Sequence, residues 1–158
     1  VDDQAGAESM FNHLIGVLSG VDLMHQSMGI LDSYSTTSPE KFVLDAQRLR
    51  YIERFRSGYE VSEETLAMDL FEEVEPGGHF LNKRHTLNHG DEHIRPELFF
   101  RDSYDNWADA GEKDAFERAH EYVESQLDAY ERPPIDPDVE AALDEYVESA
   151  IETVQAES

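Results

Sequence analysis

Not one cysteine occurs in this 158-residue chain, which excludes disulfides, thiolate zinc fingers and cysteine nucleophiles. Lysine is almost as scarce, with only Lys41, Lys83 and Lys113. Twelve basic residues face 36 acidic ones, for a formal charge of −24. A body so negative repels nucleic acid and anionic membrane, so neither is expected as a partner. No apolar run approaches the ~20 residues needed to span a bilayer. The opening Val1-Asp2-Asp3-Gln4 is acidic where a secretory signal would be basic, and the expected location is the cytoplasm. There is also no GxGxxG, Walker loop, GxSxG or HExxH, which leaves nucleotide-binding, serine-hydrolase and zincin readings without support.

The acid excess has a physical reading of its own. In molar salt the Debye length falls to ~3 Å, so crowded carboxylates stop repelling one another while still holding water at the surface. Dense Asp and Glu beside so little lysine suits a salt-adapted, halophilic cytoplasm.

Apolar residues at 7, 10, 11, 14, 15 and 18 have the helical period and predict a helix over Ala5–Leu18, capped by Gly20. Val21-Asp22-Leu23-Met24-His25-Gln26 reads as a short buried strand, followed by a polar loop at Gly29 and Asp32–Thr37. Ser38-Pro39-Glu40 is a helix start, with Phe42, Val43, Ala46, Leu49, Ile52 and Phe55 as the inward face and Gly58 as the stop. Asp45 on that helix reads as an exposed, salt-bridging acid. Ser62 caps a further helix that Pro76 ends. Ser103 begins another, running to Leu127 with a possible kink at Gly111, until Pro133-Pro134. Asp136-Pro137 opens a last helix, with Val139, Leu143, Tyr146, Val147, Ile151 and Val154 facing inward. The helix–strand–loop–helix rhythm is that of an α/β protein. One clear strand is nevertheless too few for a sheet, which ordinarily has about four to six. Either the chain is mostly helical or it is part of a larger sheet or barrel.

Between residues 79 and 93 stand four of the seven histidines, just after the helix-stopping Pro76-Gly77-Gly78. His85, His89 and His93 at i, i+4 and i+8 would share a helix face, the arrangement of a zinc site, but Gly90 interrupts them. His25-Gln26, at the end of the expected strand, lies where α/β proteins gather ligands. Tyr34, Phe80, Phe99, Phe100 and Trp107 are candidates for an aromatic wall that holds a cation.

Several stretches together resemble the C-terminal part of the trimethylamine:corrinoid methyltransferases, the MttB superfamily. They are Asp3-Gln4-Ala5-Gly6, Leu18 to His25, Gly29-Ile30-Leu31-Asp32-Ser33, Pro76-Gly77-Gly78-His79-Phe80-Leu81, His85-Thr86-Leu87, Arg95-Pro96 and Trp107, in order and at similar spacing over roughly residues 1–150. Asp45-Ala46-Gln47 stands where many members have a second acid, so Gln47 departs from the pattern.

The resemblance implies the C-terminal part of a TIM (β/α)8 barrel plus C-terminal helices. Residues 1–132 would supply the last βα units and connecting helices, and 133–158 an acidic terminal helix. It further implies a methyltransferase that moves methyl from a methylated or quaternary amine, of the trimethylamine or glycine betaine type, to the cobalt of a corrinoid. That corrinoid (cobalamin) is carried on a partner protein, so no cofactor or metal is expected on this chain itself. His85 is the expected catalytic group, with His25, Gln26, Asp32, His79 and Phe80 binding substrate. Expected partners are the corrinoid protein, the amine, and either the missing N-terminal barrel portion or a second copy. The isolated chain would then be inactive. The alternatives are a non-catalytic remnant or assembly subunit, and a histidine metal-binding domain. Far-UV circular dichroism should show helix well above strand, with the helical signal falling as salt is removed; a signal indifferent to salt would count against the halophilic reading.

Overall fold

Asp2 starts helix α1 (Asp3–Leu18) by accepting a hydrogen bond from the Ala5 amide at 3.0 Å. Ser38 does the same for α2 (Pro39–Ser57), where Lys41 N donates to its hydroxyl at 3.1 Å and Pro39 needs no partner for a missing N–H. These two helices pack against each other. The structure is a computed structural model that describes residues 1–156. Its contacts divide it into two compact units, one over residues 1–125 and one from residue 126 onward.

The expected strand at Val21–Gln26 does not form. Val21 and Leu23 are 49% and 80% exposed, and a lone extended segment has no neighbour to satisfy its backbone. Pairing occurs instead in the expected polar loop, where β1 (Ile30–Leu31) meets β2 (Thr36–Thr37) antiparallel, Ile30 opposite Thr37 and Leu31 opposite Thr36. The tight turn Asp32–Tyr34 joins them.

The helix expected after Ser62 is broken in two. Ser62 and Thr65 form a reciprocal capping box at the start of α3 (Glu63–Leu66), but Ala67 takes φ +48° and α4 (Met68–Glu73) leaves in a new direction. The histidine segment holds a short α5 (Arg84–Asn88) and a tight turn at Gly90–Glu92. Gly111, at φ +96°, separates α6 (Tyr104–Asp109) from α7 (Ala115–Asp128) rather than merely kinking one helix. In the second unit α8 (Pro137–Ala156) starts where Asp136-Pro137 places it. Its Val139, Leu143, Tyr146, Val147 and Ile151 are half exposed or more, not inward as their period suggests.

The buried set is small and unusually polar. Leu44, Ile52, Leu98 and Ala119 are its hydrophobic members, and Leu44, Leu98 and Ala119 cluster with Val43, Phe99 and Ala115. Lys41, Asp45 and Gln47 on α2 are buried beside them, whereas Phe42 and Phe55, expected inward, are 46% and 65% exposed. Asp45, expected on the surface, has no exposure at all. Its Oδ2 accepts from Lys41 Nζ at 2.5 Å and from the Gly29 amide at 3.0 Å, and its Oδ1 accepts from Arg48 Nη1 at 2.6 Å. Lys41 also donates to Ser9 on α1 at 2.7 Å. Gly29 is required there twice over: its φ is +72°, and a Cβ would stand 2.9 Å from that of Phe42.

Two charged partners lose their counter-ion if this carboxylate is removed. Asp45→Ala should therefore cost about 3–5 kcal/mol, read as a lowered midpoint of urea unfolding. A loss below about 1 kcal/mol, the range of an exposed pair, would mean that Lys41 and Arg48 simply return to water.

Candidate functional site

One cleft of about 580 Å3 lies between α1 and the loop that follows it. Glu8, His13, His25, Gln26, Asp32 and Tyr34 are among the residues that line it, together with the buried Lys41. The loop reaches this position through uncommon backbone: Gln26, Asp32, Ser33 and Tyr34 have φ of +51°, +47°, +49° and +75°. For L residues such angles cost energy, and they persist only where surrounding structure holds them. At the centre of the same loop the Gly29 amide is held by Asp45, and the turn at Asp32–Tyr34 is closed by the paired β1 and β2.

His13 is buried on α1, and its Nε2 donates to the Ser27 carbonyl at 2.5 Å. A carbonyl only accepts, so the proton is on Nε2 and Nδ1 keeps a lone pair. That atom is buried without a hydrogen-bond partner among the described residues. Glu8 and Asp32 contribute negative charge to the cleft wall, and the one lysine there is already neutralised by Asp45. The wall suits a small cation with an apolar surface better than an anion.

A second cleft, of about 790 Å3, is bounded by α3, α4 and α5. Glu63, Glu64, Asp69, Glu73 and His85 line it, with Lys83 and Arg84 as the basic residues. His85 and His89 sit one helical turn apart with ring centroids 4.2 Å from each other. His85 Nε2 lies 2.9 Å from the Glu64 carbonyl, and His89 Nε2 lies 3.0 Å from Glu64 Oε1. The other nitrogen of His89 is hydrogen-bonded to Glu92. That bond, then the one to Glu64, raises the His89 pKa above its ordinary value, and His89 in turn lowers that of Glu92.

The expected site residues are thus divided. His25, Gln26 and Asp32 share the first cleft, and His85 lines the second. His79 and Phe80 are exposed on the turn before α5, where Phe80 packs edge-on against Phe71. The expected aromatic wall is dispersed: Phe99 stacks on Tyr51, Trp107 donates to the Lys113 carbonyl, and only Tyr34 reaches the first cleft. His93 departs from the other two histidines, because α5 ends at Asn88 and His93 is extended. His13, Glu8 and Lys41 were not singled out from the sequence. His13 carried a signal, since it lies on the apolar face of α1, three residues after Met10 and four before Val17.

The sequence matches the family model for trimethylamine methyltransferase (MTTB) over residues 1–154, and the chain belongs to that family. It is 36% identical over 148 residues to a glycine betaine methyltransferase of Desulfitobacterium hafniense (strain Y51), a match that covers 93% of this chain and 31% of that protein. It is 35% identical over 149 residues to the trimethylamine methyltransferase MttB of Methanosarcina barkeri (strain Fusaro / DSM 804), covering 94% of this chain and 30% of that one. The chain therefore spans about three tenths of the length of these curated relatives. No described helix is long and apolar enough to cross a membrane.

The strained turn at the first cleft can be tested without any ligand. Ser33→Gly removes a Cβ penalty of about 1–2 kcal/mol but adds unfolded-state freedom worth about 0.5–1 kcal/mol. A net gain of up to about 1.5 kcal/mol is expected in chemical denaturation, and a clear loss would show that the Ser33 side chain itself holds the turn.

Proposed function

We propose that this chain is the C-terminal portion of a corrinoid-dependent methyltransferase that takes methyl from a methylated or quaternary amine of the trimethylamine or glycine betaine type. The acceptor would be the cobalt of a corrinoid held on a separate protein, and hence a substrate of the reaction. The observation that carries this proposal is the cation-attracting first cleft in a chain of the trimethylamine methyltransferase family. The names of the two relatives, a glycine betaine methyltransferase and a trimethylamine methyltransferase, support a methylated or quaternary amine as the donor.

Support for a portion rather than a whole comes from two facts. The chain matches about three tenths of each relative's length, and it leaves large apolar side chains such as Leu23, Tyr59, Leu81 and Leu87 well exposed. We assign the remainder to a (β/α)8 barrel of about 250 residues, completed by a further stretch of the same protein or by a second copy. The salt-adapted cytoplasmic setting belongs to the same proposal.

In this arrangement Tyr34 presents its ring to the ammonium, while Asp32 and Glu8 favour positive charge in the cleft. The C–N bond breaks with both electrons left on nitrogen, the methyl carbon bonds to cobalt through the acceptor's electron pair, and a neutral amine departs. Positive charge on nitrogen falls along this path, so tight charge pairing alone would favour the ground state. The useful work of the wall is orientation and exclusion of water. His25 and Gln26 narrow the cleft on the loop side. His85 lines the other cleft and is given no role in this arrangement.

In the longer protein, assayed with its corrinoid partner, Tyr34→Leu should raise KM for the amine about 2- to 30-fold, the range of a cation–π contact. Residues 1–158 alone should transfer no methyl to free reduced cobalamin. Robust transfer by the isolated chain would overturn its status as a portion, and failure of every methylated amine in a substrate panel would overturn the activity.

A further inference from the structure

The histidine cluster of the second cleft has no part in the methyl-transfer arrangement. Glu64 is delivered by α3, and His85 and His89 by one turn of α5. One ligand atom from each lies within 4.8 Å of the others. We propose that Glu64, His85 and His89 bind one divalent transition-metal ion of the zinc type, with Glu92 holding His89 in place from behind.

The hydrogen bonds already present set up the donors. The Glu64 carbonyl can only accept, so His85 carries its proton on Nε2 and keeps a lone pair on Nδ1. His89 Nδ1 donates to Glu92, and the Nε2 of the same ring faces Glu64 Oε1 at 3.0 Å. A carboxylate behind an imidazole fixes the tautomer and the ring plane and makes the ligating nitrogen more basic, as behind the histidines of many zinc sites. The metal takes the place of the Nε2 proton, which passes to solvent.

Distance and charge both fit. Ligand atoms about 2.0–2.1 Å from a tetrahedral zinc stand about 3.4 Å from one another. The three ligand atoms now lie within 4.8 Å of one another, so they draw together on binding, and the exposed Glu64 side chain exchanges its hydrogen bond to His89 for the metal. Four acids line the cleft against two bases, and Lys83 is already paired with Glu73 at 2.9 Å. Two imidazoles select a zinc-type ion over Ca2+ or Mg2+, which prefer oxygen. Two histidines and one carboxylate leave a fourth position open to water or to a ligand entering the cleft.

The test uses residues 1–158, stripped with chelator and titrated with Zn2+ in molar salt and excess Mg2+, so that ions loosely held by surface carboxylates do not count. Uptake of one equivalent is expected. Glu92→Gln should weaken it about 10- to 100-fold, and His85→Ala or His89→Ala should abolish it while circular dichroism stays unchanged. Should a variant fail to fold, Co2+ decides on the unsubstituted chain. Nitrogen-ligated tetrahedral visible bands and paramagnetic shifts at His85 and His89 support the site, and their absence overturns it. Uptake below about 0.1 equivalent, or one-equivalent uptake that survives both histidine variants, overturns it as well.

Discussion

A single buried carboxylate holds the first unit in register. Asp45 accepts from a lysine, an arginine and a backbone amide, and these donors come from its own helix and from the loop that carries the first cleft. Through Lys41 and Ser9 the same network reaches α1. In a chain with 36 acids, burying one is a specific choice that only a full set of donors can sustain. Two of the twelve basic residues are committed to it. With so few apolar side chains fully buried, this ionic knot does work that a larger hydrophobic core would do elsewhere.

Helices were largely legible in the sequence because their signals are local. Ser38-Pro39, Gly58, Ser62, Pro76, Ser103 and Asp136-Pro137 act within a few residues, and helix ends fall at or near each of them. The inward faces were not legible. On α2 the apolar period selects Phe42 and Phe55, but the face that turns inward is set by Lys41, Asp45 and Gln47, and nothing about charge in a one-dimensional sequence says whether it will find partners. The strand at residues 21–26 failed for a related reason, since β structure depends on neighbours that propensity does not reveal.

The site was legible in part. His25, Gln26 and Asp32 do gather at one cleft. The histidine segment does form a cluster, but the third member is Glu64, supplied from twenty-one residues upstream of His85, where the expected triple had His93. Spacing along one helix could not find it, because the break at Ala67 and the turn before α5 bring the two segments together. Two clefts with different chemistry thus lie in one unit. The first has an aromatic ring and carboxylates suited to an organic cation, and the second has imidazoles suited to an inorganic one.

The positive-φ turn over Asp32–Tyr34 has a consequence for how the family's chemistry can drift. The turn is closed within the chain by the Ser35 amide on the Asp32 carbonyl and by the β1–β2 pairing on either side, and the Gly29 amide just before β1 is tied to Asp45, which lines neither cleft. A ligand entering the first cleft therefore meets a wall already ordered and need not spend affinity on arranging it. Drift at this cleft is therefore constrained by Asp45 and Gly29, which do not line it, as well as by the residues that do.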